Sequence, residues 1–542
     1  MASGSGSGRM GDRDKISPSG VENESGAEPR RLPVPGPLSP IEAFTRLRGL
    51  PGRVLLETAP PWQGRTLLTA APRAVVGGRA GHCGLRSEAW LRWDGDVGVG
   101  GDSDGPGLDL LGRAMDALSA GSSSHPGSSA LPSGGWFGVL GYELGGEIES
   151  LPSPPPGGLT PDLWFGAYDW CLSWPDGPAA PPVVAGRPLP GDHEGRELDR
   201  LLEFVLARLR RGRVPGTGED PSEPAPGAGL DPSEWEGCGP DASFAIPRAP
   251  AFTGWAPLGG RRGARISLSR RDYLSAVERV REYIRAGDLF QANLTCQVER
   301  PIPPADDDGA SEPGVTLYRR MRDRSPAPYA ACLDLGDAMV VSISPESFLE
   351  RAGRTLKTRP IKGTRPRGHE AASDAALARE LVGSGKDRAE NVMIVDLLRN
   401  DLSRIAKPNS VYVSSLLQLE THPTVHHLVS EIRAELADGA GWSEILAALF
   451  PGGSITGAPK IRAMEILAEL EPLPRGPYTG AVGRVGFDGD ATLSIAIRTA
   501  VVRDGVARYG AGGGITLASE PDAEWRELLD KAEAFLDATE PS

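Results

Sequence analysis

From Arg271 to the end of the chain, helical and strand-like periods follow one another in an order that regular βαβ winding cannot accommodate. Helices are predicted over Arg271–Ala286, Ala375–Leu381, Arg388–Leu402, Trp442–Phe450, Ile461–Leu470 and Ala523–Leu536, from apolar residues at 3.6-residue spacing. Gly287 is well placed to end the first of these in a left-handed conformation. Strand patterns fall at Ala338–Ile343, Thr492–Arg503 and Val506–Tyr509. Because strands come in neighbouring pairs between helices, the fold class is α+β rather than a doubly wound sheet.

The N-terminal part is sparser. Residues 1–40 are Gly/Ser-rich, then polar and proline-containing, and read as a disordered tail. A globular region follows over 41–213, with strand candidates at Arg53–Glu57 and Trp164–Trp170 and a short helix at Leu108–Leu118 inside the loop-rich stretch Gly98–Ser129. An amphipathic helix is predicted over 196–212, with Leu198, Leu201, Leu202, Val205, Leu206 and Leu209 on one face. Residues 214–262 turn rich in Pro, Gly and acids, which marks a linker or surface insertion before a second region over 263–542.

A chain of 542 residues can hold two or three ordinary domains or one large duplicated fold. Its formal charge of −14 argues against nucleic acid as a general partner, while leaving room for a local cationic pocket. Five cysteines, with no C-x-x-C pair, fit a reducing cytosol and give no zinc site. No run approaches the ~18 apolar residues of a membrane span, and no signal-peptide pattern follows the first residues. The expectation is a cytoplasmic protein with neither a membrane nor a nucleic-acid partner.

Several residues carry chemistry. Lys362 lies among Arg359, Arg365 and Arg367, a crowding that disfavours the ammonium form and exposes a nucleophilic amine; the competing reading is a solvated basic loop. Asp387 and Glu390 share a helix face, as do Glu524 and Glu527, and clustered carboxylates suit Mg²⁺. The alternative there is a solvated face with a Glu527–Lys531 pair. Gly512, Gly513 and Gly514 follow a strand and offer amides for a carboxylate, or else a flexible turn. Gly453–Lys460 contains Ala458-Pro459, which breaks any nucleotide-binding signature, so nucleotide binding is not expected. Arg498 interrupts an apolar strand, where it needs either an ion pair or an anionic ligand. His422, His426 and His427 are spaced four and one apart, so they cannot share one metal-binding face. Glu346 follows a strand, where a lone glutamate is more often a capped loop end.

The blocks Phe290–Thr295, Ser344–Leu349, Pro360–Thr364, Ala389–Asp401, Gly453–Lys460, Tyr478–Gly483, Ala496–Thr499 and Gly512–Ile515, in that order, resemble the chorismate-utilising enzymes. Within them the chain is most similar to the aminodeoxychorismate synthase branch of the anthranilate synthase component I type. Gly134–Glu143 resembles the N-terminal half of the same family. The resemblance implies two large orthogonally packed antiparallel sheets covered by helices, with both halves contributing. It implies Mg²⁺ held by Glu390 and Glu527 with Asp387 and Glu524. It also implies Lys362 as nucleophile with Glu346 as acid/base, and His427 and Thr364 in the catalytic set. Arg498, Tyr478, Gly512, Gly513, Gly514, Thr456, Gly457 and Lys531 would contact the substrate. The implied reaction makes 4-amino-4-deoxychorismate, on the way to 4-aminobenzoate, from chorismate and ammonia. No cysteine lies in a G-x-C-x-G-x-Q elbow, so a separate glutamine amidotransferase subunit is expected. Anthranilate synthase component I is the alternative, although anthranilate synthases usually carry alanine where this chain has Lys362. A further alternative is a non-catalytic amino-acid sensor, because Leu55–Thr58 resembles a tryptophan-binding segment, with Thr58 in place of serine.

Overall fold

The computed structural model describes residues 29–34, 36–58, 65–87, 104–119, 131–210, 252–302 and 312–540. Most of the expected tail and linker therefore lies outside the described residues. Ordered structure nevertheless begins ahead of Pro40, because Arg30–Pro33 forms a strand paired with Val183–Gly186.

The predicted helices form close to their expected bounds, and local chemistry explains why. Arg270–Ala286 starts at Ser269, whose hydroxyl accepts the Asp272 N–H at 3.2 Å, and stops at Gly287 with φ 87°. Its Tyr273, Ala276, Val277 and Val280 are buried. Pro521–Ala538 opens with proline in its first turn and buries Trp525, Leu528, Ala532, Phe535 and Leu536. The 196–212 expectation corresponds to Arg196–Arg210.

Two antiparallel sheets, of thirteen and twelve strands among the described residues, organise the molecule. In the first, Val54–Glu57 pairs with Tyr329–Asp334, joining N-terminal strands to Met339–Ser344, Thr499–Arg503, Val506–Ile515 and Gln291–Pro301. In the second, Gly135–Leu140 pairs with Ala481–Val485, joining Leu163–Tyr168 and Ala74–Arg79 to Ala491–Ile495, Ser347–Ala352, Thr355–Arg359, Val425–Glu435 and Ile361–Pro366. The α+β expectation, with both halves in each sheet, is what the molecule shows. Val54, Leu67, Ala331, Leu333 and Val340 of the first sheet pack with Phe137, Val139, Trp164 and Val482 of the second in one buried cluster. Helices cover the outer faces. Eleven α-helices are present among the described residues.

Strands change sheet at corners, and these corners break two segments that read as single strands. Trp164–Trp170 is divided into Leu163–Tyr168 and Trp170–Ser173 at Asp169, a buried carboxylate that accepts from Arg73 at 2.8 Å. Thr492–Arg503 divides into Ala491–Ile495 and Thr499–Arg503, with Arg498 at φ 50° between them. Alongside that second corner, Met339–Ser344 crosses into Ser347–Ala352. The two crossings are stitched together by Ile343 N–H to Arg498 O at 3.0 Å and Ile495 N–H to Glu346 O at 3.0 Å.

Candidate active site

This double corner fixes two of the expected residues. Glu346 is buried where the chain passes between sheets, and its carboxyl is raised above the usual range by burial. Lys362, the Ser454 hydroxyl and the Ile361 N–H pull in the opposite direction. Arg498 holds its left-handed backbone at the same corner, and its guanidinium donates to the Ser325 hydroxyl at 2.9 Å. No carboxylate lies within ion-pair distance of it among the described residues, and burial lowers its basicity. Tyr478 lies against Gly510, where a Cβ would stand 2.1 Å from the Tyr478 ring, so only glycine leaves room for this tyrosine.

Lys362 comes from the edge of the second sheet. Ile361 pairs with Val429 and Thr364 with His427, and the register shifts between them. Gly363 takes up the bulge at φ 90°, and a Cβ there would meet Leu381 at 2.9 Å and Asp387 at 3.0 Å. The Lys362 ammonium donates to the Ser454 carbonyl at 2.9 Å. Its pKa is lowered, first by burial and then by Lys531, against the pull of Glu346, Glu390 and Glu527. The three arginines are not the cause, contrary to expectation. Arg359 pairs with Glu420 and Glu431, Arg365 with Glu380 and Asp387, and Arg367 with Asp374. Each is neutralised by its own carboxylates.

His427 is buried beside this edge, its Nδ1 sharing a 2.9 Å hydrogen bond with the Thr364 hydroxyl. Burial, followed by the charge of Arg498, pushes it down to about 3, so the ring is neutral near pH 7. Its neighbour His426 bonds instead to Thr421 and Asp374, both at 2.9 Å. His422 contacts the His427 ring at a centroid distance of 5.4 Å and pairs with Glu420. Adjacent strand residues face opposite ways, so only one of His426 and His427 can face the site.

The carboxylates come from two helices, Gly385–Ser403 and Pro521–Ala538. Lys386 lies 3.9 Å from Glu390 and 3.6 Å from Glu524, and Lys531 lies 2.8 Å from Glu527. Burial raises Glu390, with Lys386 and Lys362 opposing. Burial would raise Glu527 as well, but Lys531, joined by Lys386 and Lys362, outweighs it and holds that carboxylate below the usual range. Asp387 turns to Arg365 at 3.2 Å. Among the described residues no three His, Cys, Asp or Glu side chains converge as a ready coordination sphere. The donor set still fits a magnesium ion. It consists of hard carboxylate oxygens, the Glu390 Oε1 is buried without a hydrogen-bond partner, and Gly513 leaves open the space beside Glu524, Glu527 and Lys531.

The glycine run does not follow a strand but lies inside one. In Val506–Ile515, Gly512, Gly513 and Gly514 sit opposite Thr295, Leu294 and Asn293. One edge of this segment is therefore used by the ladder, while Thr499–Arg503 accompanies the other edge only as far as Tyr509. Lys531 donates to the Gly512 carbonyl at 2.8 Å. Thr456 is buried with its hydroxyl turned to Gly452 and Gly453 carbonyls, and a Cβ at Gly457 would meet Gln291 O at 2.3 Å. Both positions are committed to the protein's own packing. Sequence reading passed over Lys386, although its four-residue offset from Glu390 was a usable signal. It also passed over Ser325 and Ser454, which contact Arg498 and Lys362 only through the tertiary fold. Glu57, in the segment resembling a tryptophan site, accepts from Tyr318 at 2.7 Å and from Arg322 at 3.1 Å.

Comparison with known proteins places this geometry in context. A profile of the chorismate binding enzymes matches residues 258–537. Anthranilate synthase component 1 of Streptomyces coelicolor is 38% identical over 408 residues, 75% of this chain and 72% of that protein. Aminodeoxychorismate synthase component 1 of Salmonella typhimurium is 35% identical over 404 residues, 74% of this chain and 76% of that protein. The crystal structure of anthranilate synthase component I from Streptococcus pneumoniae superposes with a TM-score of 0.65 at 26% identity, covering 94% of this chain and 99% of that one.

Proposed function

The chain belongs to the chorismate-binding enzyme family, and on that premise we propose that it is a component I that aminates chorismate to 4-amino-4-deoxychorismate. One observation carries the reading. Arg498 is set into a sheet corner with no carboxylate partner among the described residues, while a lysine of lowered basicity and a carboxylate cluster stand within electrostatic reach of one another. A dicarboxylate answers both ends of that arrangement. Arg498 and Tyr478, with the free edge of the Gly510–Gly514 strand, receive the enolpyruvyl carboxylate. The other carboxylate faces the Glu390, Glu524 and Glu527 cluster, where magnesium, when bound, supplies the charge that neutralises it.

Between these anchors the chain's own groups move protons. The Lys362 amine adds at C2 as the C4 hydroxyl departs, and Glu346, whose carboxyl is raised by burial, gives a proton so that water leaves. The carboxylate so formed takes the proton from the alkylated lysine. Ammonia then adds at C4; Glu346 returns its proton to the lysine nitrogen as that amine leaves and the double bond returns, and then takes one from the new C4 ammonium. Water and the aminated ring balance chorismate and ammonia. The neutral His427, held through Nδ1 by Thr364, lines the side from which the hydroxyl departs.

Lys362 favours the 4-amino product, since the resemblance to anthranilate synthases breaks at that residue. The second reading, anthranilate synthase component I, is favoured by the 38% identity to the Streptomyces coelicolor protein. A mass-spectrometric product assay with chorismate, Mg²⁺ and ammonium salt separates them. Aminodeoxychorismate is expected, falling on the order of a thousandfold in Lys362→Ala. Anthranilate with pyruvate, or aminodeoxychorismate unaffected by the substitution, overturns the proposal. In the same assay glutamine replaces ammonium only after a glutaminase subunit is added; full glutamine-dependent activity by the chain alone removes that partner from the scheme.

A further inference from the structure

The amine of Lys386 stands where a cation is wanted. It projects from the first turn of the Gly385–Ser403 helix and lies 3.9 Å from Glu390 of its own helix and 3.6 Å from Glu524 of the Pro521–Ala538 helix. Both distances exceed those of a good hydrogen bond, so this is charge compensation without directional bonding. Glu524 is buried, with 4% of its side chain exposed, and Glu390 is 15% exposed, whereas Lys386 is 47% exposed. The carboxylates are thus fixed by the fold, and the lysine reaches them from solvent on a flexible stem. Glu390 gains charge compensation from it but no hydrogen bond, since its Oε1 has no hydrogen-bond partner among the described residues. Lys531, by contrast, is tied to both Glu527 and the Gly512 carbonyl at 2.8 Å.

We propose that Lys386 is a tethered counter-cation, which neutralises the Glu390–Glu524 pair when no metal is bound and must swing out to solvent when a divalent cation enters. The inference rests on the metal reading above, and adds that metal affinity is set by competition with a side chain. A pair of buried carboxylates held near each other without a cation repel strongly. An amine on a mobile arm removes that repulsion, and any entering ion has to displace it. The lysine therefore stabilises the metal-free protein and weakens metal binding by the same interaction.

Titration calorimetry of the full-length, metal-free protein with MgCl₂, without chorismate, tests this at low ionic strength. Lys386→Met is expected to bind Mg²⁺ roughly tenfold more tightly, a half-exposed charge being partly screened. Lys386→Arg, which keeps the charge, is expected to remain near the wild-type affinity. The melting temperature of Lys386→Met should fall without Mg²⁺ and recover with it. Unchanged or weaker Mg²⁺ binding by a folded Lys386→Met overturns the proposal. Glu390→Gln separates it from the reading beneath: wild-type Mg²⁺ affinity in that variant removes the metal from this cluster altogether, whereas lost affinity there with no effect of Lys386→Met removes only the role of the lysine. The wild-type protein gives a second readout. Lys386 acetylation by a soluble N-hydroxysuccinimide ester, followed by peptide mass spectrometry, should rise several-fold at saturating Mg²⁺, and no rise contradicts displacement.

Discussion

Burial moves the Lys362 amine down and the Glu346 carboxyl up from their ordinary values, and each shift costs the folded protein stability. For Lys362 the sign follows from proton counting. Its amine is lowered from an ordinary value of 10.5, so below that pH the unfolded chain binds more protons than the folded one. Wild-type stability therefore declines as pH falls from about 10.5 towards the lowered value. Lys362→Met lacks this penalty. It is expected to be more stable than wild type to denaturant at pH 7.5 while inactive, with the difference shrinking at pH 10; equal stabilities at pH 7.5 contradict it. At this scale the sequence disclosed identities better than environments. Lys362, Glu346, His427 and Arg498 could be named as candidates because each lies in a contiguous block that carries the family resemblance. The cause of the lysine's lowered basicity was not legible, because Arg359, Arg365 and Arg367 find their carboxylates on Glu420, Glu380 and Asp374, elsewhere in the chain. The inward turn of the Thr456 hydroxyl was hidden for the same reason.

The strand Val506–Ile515 shows what a single element contributes. Its glycines are spacings as much as hinges: Gly510 admits the Tyr478 ring, and Gly513 leaves room beside the carboxylates. In Gly513→Ala the new methyl would lie 3.2 Å from Glu524, 3.8 Å from Glu527 and 3.9 Å from Lys531. Crowding there shifts ligand groups without removing any, so Mg²⁺ affinity by calorimetry should drop roughly 10–100-fold. Wild-type affinity in that variant would show that the open space is incidental. Helices were readable to within about four residues where an apolar stripe or a stop such as Gly287 gave a local signal, as in Arg270–Ala286 and Ala371–Gly383, whereas Pro313–Arg324 was passed over. Strand ends were not readable. Thr492–Arg503 looked continuous because its apolar residues continue through the corner, and nothing local announces that its two parts belong to different sheets.

At the scale of the whole molecule, an ion network ties the halves together. Arg53, beside the Val54–Glu57 strand, donates to Glu312 and to Asp334, each at 2.6 Å at closest, and lies over the Phe44 ring at 4.6 Å. With Arg53 2% exposed, Arg53→Met leaves two half-buried carboxylates facing one another. A loss of about 3–5 kcal/mol in denaturant-derived stability is expected; a change below about 1 kcal/mol, the scale of an exposed pair, would mean the network is effectively solvated. The two-sheet architecture with contributions from both halves was legible only through resemblance, because which strands pair across so many residues is not written in any local period. That same pairing governs how the chain is made. Leu55 finds Cys332 and Val139 finds Val482 only after most of the polypeptide has emerged. Strands of the N-terminal half wait at the ribosome with their edges open, in competition with other nascent chains. Non-local pairing of this kind is slow to form. The Gly135–Leu140 strand, wholly buried in the folded protein, can pair early with Leu163–Tyr168 on one edge, but its other edge must wait for Ala481–Val485.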